Sequence, residues 1–286
     1  MTAESPPLVS VIIPTYNYAY YLGDAIWSVL NQTYSNFEVI VVDNFSTDGT
    51  LELVESIDDK RISLFQFENG GSIAAARNFG WRQASGSLVA FLDADDKWHQ
   101  TKLEKQISLH SPISSSITHH DLRLFGSRNL GKTSGRNLRE KALMDLLTRG
   151  NALSTSSVIV SKELLHASNG FSEDKAIISA EDFELWLRLA DQGANFRFIN
   201  KSLGSYRMHA QSNSSGKSAR AAANVVAPYR SRLAPKELKR LDGWLAYAIA
   251  VDSSSRKVRI AHLSEAARLA TFRFKWRAII RLCSLR

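Results

Sequence analysis

Between Val9 and about His110, short apolar runs alternate with stretches whose apolar residues recur at helical spacing, the pattern of a parallel sheet wrapped by helices. Residues 9–13 predict a first strand, stopped by Pro14, and residues 20–31 a helix with Leu22, Ile26, Val29 and Leu30 near one face. Residues 37–42 predict a second strand. Ser46-Thr47-Asp48-Gly49-Thr50 then turns into a helix running to about Ile57, with Thr47 or Asp48 as its cap. Residues 62–67 predict a third strand, and Asn69-Gly70-Gly71-Ser72 a turn whose Ser72 caps a helix reaching Ala84. Residues 88–92 predict a fourth strand, which releases Asp93-Ala94-Asp95-Asp96 before a helix starting near Lys97.

From about Ser114 to Ser212 the pattern is less regular. Residues 126–136, rich in Gly, Ser, Lys, Arg and Asn, read as a mobile loop, residues 138–148 as an amphipathic helix, and residues 158–160 as a buried strand. Residues 177–189 are acidic at Glu181-Asp182 and apolar at Phe183, Trp186, Leu187 and Leu189, as expected of a helix whose N-terminus favours negative charge. A short strand over 196–199 precedes Ser205-Tyr206-Arg207-Met208-His209. There is no internal repeat.

Composition narrows the class. With 286 residues, 44% hydrophobic and 22% charged, the chain is an ordinary globular composition, long enough for one large domain or a domain with an appendage. Cys283 is the only cysteine, so no intramolecular disulfide can form and a reducing compartment fits. Met1-Thr2-Ala3-Glu4-Ser5-Pro6-Pro7 shows no basic segment followed by an apolar one, and no apolar run is long enough to span a bilayer, so neither export nor a spanning helix is expected. The net charge of +8 lies wholly in residues 256–286, where nine Lys/Arg face Glu265 alone; the body is neutral, and nucleic acid is not an expected partner.

In open sheets of this kind ligands bind beyond the carboxyl ends of the strands. Three loops there carry polar chemistry: Pro14-Thr15-Tyr16-Asn17, Asp43-Asn44-Phe45-Ser46 and Asp93-Ala94-Asp95-Asp96. Alternate residues of a strand point to opposite faces, so a D-x-D pair aims both carboxylates together only where the extended run breaks into a loop. Hard oxygen ligands at such a place suit Mg²⁺ or Mn²⁺ carrying substrate phosphates. His119-His120-Asp121 reads as structural, since neighbouring residues of a strand face opposite ways. Trp81, Trp98 and Trp186 read as core.

These loops, with Asn69-Gly70-Gly71-Ser72 through Ala76-Arg77-Asn78, Glu181-Asp182 and Tyr206-Arg207-Met208-His209, resemble the family 2 glycosyltransferases over about residues 8–213. The resemblance implies an α/β GT-A fold, a Rossmann-like nucleotide-binding sheet flanked by helices. It divides the chain into a catalytic domain over 1–213, whose nucleotide-sugar half is about 8–113 and acceptor half 114–213, and a helical, basic extension over 214–286. It also implies an inverting, metal-dependent transfer from a nucleoside-diphosphate sugar to an acceptor hydroxyl. Pro14, Thr15 and Tyr16 then fall at the base pocket, Asp43 and Asn44 at the base edge, and Arg77 near base and diphosphate. Asp93 matches a ribose or metal contact, Asp95 the main metal ligand, His209 a residue reaching metal or diphosphate, and Asp182 the general base; Asp96 shares one of the roles of its two neighbours. The expected cofactor is Mn²⁺ or Mg²⁺.

One departure is the base-reading loop, commonly Asp-Asp-Gly-Ser in the family and Asp43-Asn44-Phe45-Ser46 here. An asparagine keeps a carbonyl acceptor for a pyrimidine N–H and adds a donor, so a UDP or dTDP sugar is favoured. The acceptor implied by the resemblance is a glycan or a lipid-linked molecule. Readings of other classes are a metal-dependent nucleotidyltransferase, which lacks here the Gly-rich basic loop that grips a triphosphate, and a non-catalytic membrane-docked binding protein.

For the tail, steps of about 100° per residue gather Leu269, Phe272, Trp276, Ile279, Ile280 and Cys283 into one sector. Arg273, Arg277 and Arg281 border it on one side and Arg268 and Lys275 on the other. Docking of 256–286 on an anionic membrane follows, with packing on the catalytic domain or a partner chain as the alternative, since Phe274, Leu282 and Leu285 lie off the sector. The expected location is cytoplasmic, extending to the inner face of the cytoplasmic membrane where the tail docks.

Overall fold

A computed structural model describes residues 6–110, 115–126, 131–133, 135–209, 218–270 and 272–284, with Phe272 and Arg273 described by backbone alone. In chain order the elements are β1 (Val9–Thr15), α1 (Ala19–Leu30), β2 (Phe37–Asp43), α2 (Thr50–Glu55), β3 (Ile62–Gln66), α3 (Ile73–Gln83), β4 (Leu88–Phe91), β5 (Lys97–Trp98), α4 (Lys102–Ile107) and β6 (Ser116–Gly126). There follow α5 (Ala142–Arg149), β7 (Ile159–Ser161), α6 (Lys162–Ser168), α7 (Glu181–Asp191), β8 (Asn195–Met208), α8 (Ser218–Val226), α9 (Pro235–Asp252), α10 (Arg256–Leu269) and α11 (Phe272–Cys283). The described residues within Met1–Asn137, Leu153–Phe171 and Gln192–Ala210 form one compact unit, and those within Leu138–Ala152, Ser172–Asp191 and Gln211–Arg286 a second.

The first unit holds an eight-stranded sheet of order β3-β2-β1-β4-β7-β6-β8-β5. The strands β3, β2, β1 and β4 are parallel, as the alternating pattern predicts, and β1 is buried along its whole length because strands covered on both faces are apolar throughout. Its register sets Thr15 beside Asp43, so the first two polar loops leave the sheet side by side. Gly80 lets α3 lie close on β1, since an added Cβ would run into Ile12. Ser72 caps α3 by accepting a hydrogen bond from the Ala75 N–H, as expected.

The other half of the sheet is mixed. Strand β7 is antiparallel to β4 and β6, β8 runs parallel to β6, and β5 is antiparallel to β8. The helix expected near Lys97 begins instead at Lys102. Lys97 and Trp98 are a short strand whose ladder partners, Ser205 and Gly204, lie over a hundred residues away. The short strand expected over 196–199 is likewise part of the longer β8, and the helix expected from Leu138 begins at Ala142. At the start of α2 the N-cap is Gly49 in the left-handed region, while Asp48 accepts from the Thr50 N–H one residue earlier and from the Ala19 N–H across the loop. The 126–136 loop lies partly outside the described residues, as does the expected boundary at 213/214.

The second unit is helical. Trp186 on α7 is fully buried, and Trp244 on α9 is buried with its Nε1–H donating to the Leu147 carbonyl at 2.8 Å. Helices α9, α10 and α11 share a small core of Ala246, Ala250, Leu263, Ala266 and Ala278. The tail is not one helix: the chain breaks at Ala270, which α9 approaches so closely that a Cβ on Gly243 would collide with it. Among the described residues no helix is long and apolar enough to cross a membrane.

Candidate active site

The site in the first unit is built from strand ends. Strand β4 stops at Phe91, and the chain closes a tight turn in which the Asp96 N–H donates to the Asp93 carbonyl at 3.0 Å. The Ser156 hydroxyl accepts from the Asp93 N–H at 3.1 Å and pins the turn from the side of β7. This breaks strand alternation and gives the D-x-D carboxylates the freedom that the sequence argument required.

Each carboxylate of the turn has a different partner. Asp93 accepts from Arg77 Nη2 at 2.8 Å; Arg77 is almost wholly buried on α3, its guanidinium 5.4 Å from the centre of the Phe171 ring. Asp95 Oδ2 lies 2.8 Å from His209 Nε2, just beyond β8. Asp96, 1% exposed, accepts from the Arg207 N–H at 3.0 Å, a tie that makes it part of the scaffold. Its Oδ2 is buried with no hydrogen-bond partner among the described residues.

Burial, and then the neighbouring Asp93, push the Asp95 carboxyl above the usual range; burial, Asp93 and Asp95 push Asp96 well above it. Crowded, partly dehydrated carboxylates of this kind favour a bound cation. Among the described residues no three His, Cys, Asp or Glu side chains converge as a complete metal cage. An ion that rides on substrate phosphates and keeps its waters needs only one or two protein ligands, and the Asp95–His209 pair fits that requirement.

The loops after β1 and β2 are stitched to one another. The Asn17 N–H donates to Ser46 Oγ at 2.8 Å, and the Thr47 N–H donates to Asn17 Oδ1 at 2.8 Å, with Asn17 and Phe45 both at positive φ. Pro14 and Thr15 are buried at the end of β1, and Thr15 Oγ1 has no hydrogen-bond partner among the described residues. Tyr16 is exposed. Asp43 is fully buried, with its carboxylate turned onto the Ser46 N–H and hydroxyl. Asn44 Oδ1 accepts from the Asn69 N–H at 3.0 Å, which joins this loop to the turn before α3 and leaves the oxygen's second lone pair for another donor.

Several residues at this site were not singled out from the sequence. Tyr21 stacks on His209 with ring centres 5.1 Å apart, and Tyr18 meets it edge-on at 6.0 Å. Arg207 donates through Nε to the Asp95 carbonyl at 3.0 Å, and Asp24 on α1 accepts from Arg207 at 3.1 Å and from Lys97 at 2.8 Å. The tyrosine-rich run after Asn17 and the arginine inside Tyr206-Arg207-Met208-His209 were the available signals.

Asp182 belongs to the second unit, at the first turn of α7. Its Oδ2 accepts from Asn151 Nδ2 at 3.2 Å, and the neighbouring Glu181 is turned back onto the Ser179 N–H at 2.8 Å. The two acidic residues therefore have separate tasks: Glu181 closes the loop, and Asp182 is half-buried beside an amide. His119 and His120, read as structural, are fully buried in β6. Trp81 and Trp98 are buried as well, with Trp98 Nε1 donating to the Ser156 carbonyl.

Comparison with known proteins finds relatives over most of the chain. Residues 10–146 match the model of Glycosyl transferase family 2. A putative teichuronic acid biosynthesis glycosyltransferase, TuaG of Bacillus subtilis, is 32% identical over 213 residues, 74% of this chain and 83% of that protein. WfgD of Escherichia coli, a UDP-Glc:alpha-D-GlcNAc-diphosphoundecaprenol beta-1,3-glucosyltransferase, is 34% identical over 213 residues, 73% and 81% of the two chains. The mannosyltransferase PcManGT of Pyrobaculum calidifontis, solved in complex with GDP-Man and Mn²⁺, superposes with a TM-score of 0.64 at 20% identity, over 98% of this chain and 80% of that one. The fold is the expected GT-A arrangement.

Proposed function

The chain belongs to glycosyl transferase family 2, and from that membership we propose that it moves a sugar, with inversion, from a UDP or dTDP sugar to a hydroxyl of a glycan or lipid-linked acceptor during assembly of a surface polysaccharide or glycoconjugate. The observation that carries this reading is the approach of His209 to Asp95 at 2.8 Å beside Asp93, a pair that would hold a cation and that comes from two segments the sequence keeps far apart. The relatives' names support the polymer and acceptor class: one is named for teichuronic acid and the other for a lipid-linked diphosphate acceptor and a UDP-sugar donor.

Asp95 and His209 would hold Mn²⁺ or Mg²⁺, which when bound supplies positive charge to the diphosphate leaving group. The protein's own residues do the rest. Arg77 holds Asp93 in place from a buried position, so one face of the turn is fixed before substrate arrives. Asn44 and the buried Thr15 hydroxyl are the groups for the base, with Asn44 already oriented by its bond to Asn69. Asp182 takes the proton of the attacking hydroxyl and is oriented for that by Asn151. One base is enough, because a diphosphate leaves without needing a proton, in contrast to the alkoxide leaving group of a glycoside hydrolase.

An anionic membrane surface is the proposed partner of the tail, where a lipid-linked acceptor would be met. The test of the donor reading is a nucleotide-sugar hydrolysis screen in Mn²⁺. Release of UDP or dTDP from the matching sugar is expected, and release only of a purine diphosphate would overturn the base assignment.

A further inference from the structure

Strands β5, β8 and β6 set three polar residues abreast. Lys97 and Arg123 are both ladder partners of Ser205, and partners in a ladder point to the same face of the sheet. Two residues further along, Phe125 pairs with Arg207 on that face, the Arg207 guanidinium lying 4.5 Å from the centre of the Phe125 ring and the Lys97 ammonium 5.8 Å from it. The opposite face carries the buried Trp98 against Gly204, so one side of these strands is core and the other is a basic, aromatic surface. An open groove of about 370 Å³ lies there, lined by Lys97, Arg123, Leu124, Phe125 and Ser205. That volume is within the range of small-molecule sites, roughly 300–1,000 Å³.

The charge of the groove is unbalanced. Lys97 and Arg207 share the single carboxylate of Asp24, at 2.8 and 3.1 Å. Arg123 is exposed and has no ion-pair partner among the described residues. The groove also starts where the D-x-D turn ends: Lys97 follows Asp96, and Arg207 is bonded to Asp96 and to the Asp95 carbonyl. A guanidinium, an ammonium and a hydroxyl on one face, bordered by Phe125 and Leu124, match a phosphorylated group carrying an apolar substituent.

We infer that this groove binds the diphosphate of an amphiphilic diphosphate ester, with Arg123 and Lys97 on the phosphates and Phe125 against the first carbons of the chain. Resting on the transferase reading above, the ester is the acceptor, which this surface holds next to the donor's cation site. The donor's own diphosphate would be held elsewhere, through the cation that Asp95 and His209 would bind.

The experiment is calorimetric titration of the full chain with geranyl diphosphate in EDTA, with and without excess UDP, alongside inorganic pyrophosphate. Binding is expected to persist in UDP, to exceed that of pyrophosphate, and to weaken about tenfold in Arg123→Gln, the usual loss for a charged hydrogen bond. Arg123→Glu should abolish it. Displacement by UDP, or unchanged affinity in Arg123→Gln, would overturn the inference; equal affinity for pyrophosphate would make the groove a site for free phosphate instead. A thermal-shift series with nucleoside diphosphates and Mn²⁺ separates the two readings. Arg123-dependent binding in a chain that no nucleoside diphosphate stabilises would uphold the groove and remove the transferase.

Discussion

His209 Nε2 lies 2.8 Å from Asp95 Oδ2 although 114 residues separate them. The contact follows from a two-residue strand: Lys97 pairs with Ser205, so the residues before Lys97 and those after Ser205 run past each other, and Asp95 meets the Arg207–His209 end of β8. Tyr21 stacked on the imidazole fixes the ring plane with Nε2 turned to Asp95.

Removing the charge at Asp95 should therefore remove transfer and leave the fold intact. Asp95 is crowded by Asp93 and raised by burial, so Asp95→Asn relieves repulsion and is expected to leave stability unchanged or slightly higher while activity is lost. Thermal melting and turnover measured together check both halves. Wild-type turnover should stop in excess EDTA and return with Mn²⁺ or Mg²⁺; full turnover in EDTA would exclude metal dependence.

Asp182→Asn separates binding from chemistry. The amide is nearly isosteric and can still face Asn151, yet it accepts no proton at neutral pH. Donor binding should be retained and kcat should fall on the order of 10²- to 10⁴-fold. A wild-type kcat would reduce Asp182 to a helix-start residue.

The parallel half of the fold was legible because each of its strands is a local apolar run closed by a polar loop. Val9–Thr15 is buried from end to end and needs no distant partner to be recognised. The other half was not. Lys97–Trp98 is a strand only because β8 lies beside it, and β8 itself includes Asn200-Lys201-Ser202, which no local propensity marks as extended. The candidate residues divide the same way. The D-x-D turn and Asn44 of the first unit and Asp182 of the second sit in motifs, whereas Asp24 and Tyr21 become meaningful only through the partners that the sheet brings to them.

Buried imidazoles in the first unit contribute to its acid limb. Burial lowers His110 to about 4 and His119 to about 3, and holds His120 well below its ordinary value. Above the unfolded histidine value of about 6.5 these imidazoles are neutral in both states and their contribution to stability is complete. As pH falls below that value the unfolded chain takes up protons that the folded chain refuses. Stability should then decline from about pH 6.5 towards pH 4 and 3, by about 1.4 kcal/mol per pH unit for each such imidazole. Neither ring nitrogen of His119 has a hydrogen-bond partner among the described residues, and its ring lies 5.1 Å from that of Phe198. In His119→Phe the acid decline in urea-melt stability should be shallower; an unchanged slope would show that His119 does not contribute to it.

The tail presents two faces, one packed and one partly exposed. Phe274, Ala278 and Leu282, spaced four apart on α11, turn inward: Phe274 lies 5.4 Å from Tyr247, Ala278 is fully buried, and Leu282 packs on the same small core. Trp276 and Ile280, half and 64% exposed, face the other way with Cys283, between exposed Lys275 and Arg277, while the Arg281 guanidinium lies 5.7 Å from the centre of the Tyr247 ring. Leu269 leaves this sector because α10 ends there, while the side chains of Phe272 and Arg273, and Leu285, lie outside the described residues. Packing within the unit thus coexists with a partly exposed apolar strip flanked by Lys275 and Arg277, whose charges can reach lipid phosphates. Each such Lys or Arg contributes on the order of 1 kcal/mol at an anionic surface, so binding to liposomes containing anionic lipid is expected, and it should weaken with salt. Deleting 256–286 would also remove Leu263, Ala266 and Ala278 from the core, so the discriminating variant is Ile280→Glu with Cys283→Ser, which changes only exposed positions. Co-flotation should fall at least tenfold in that variant with the melting temperature unchanged. Equal flotation of variant and wild type would assign the strip to a protein partner instead.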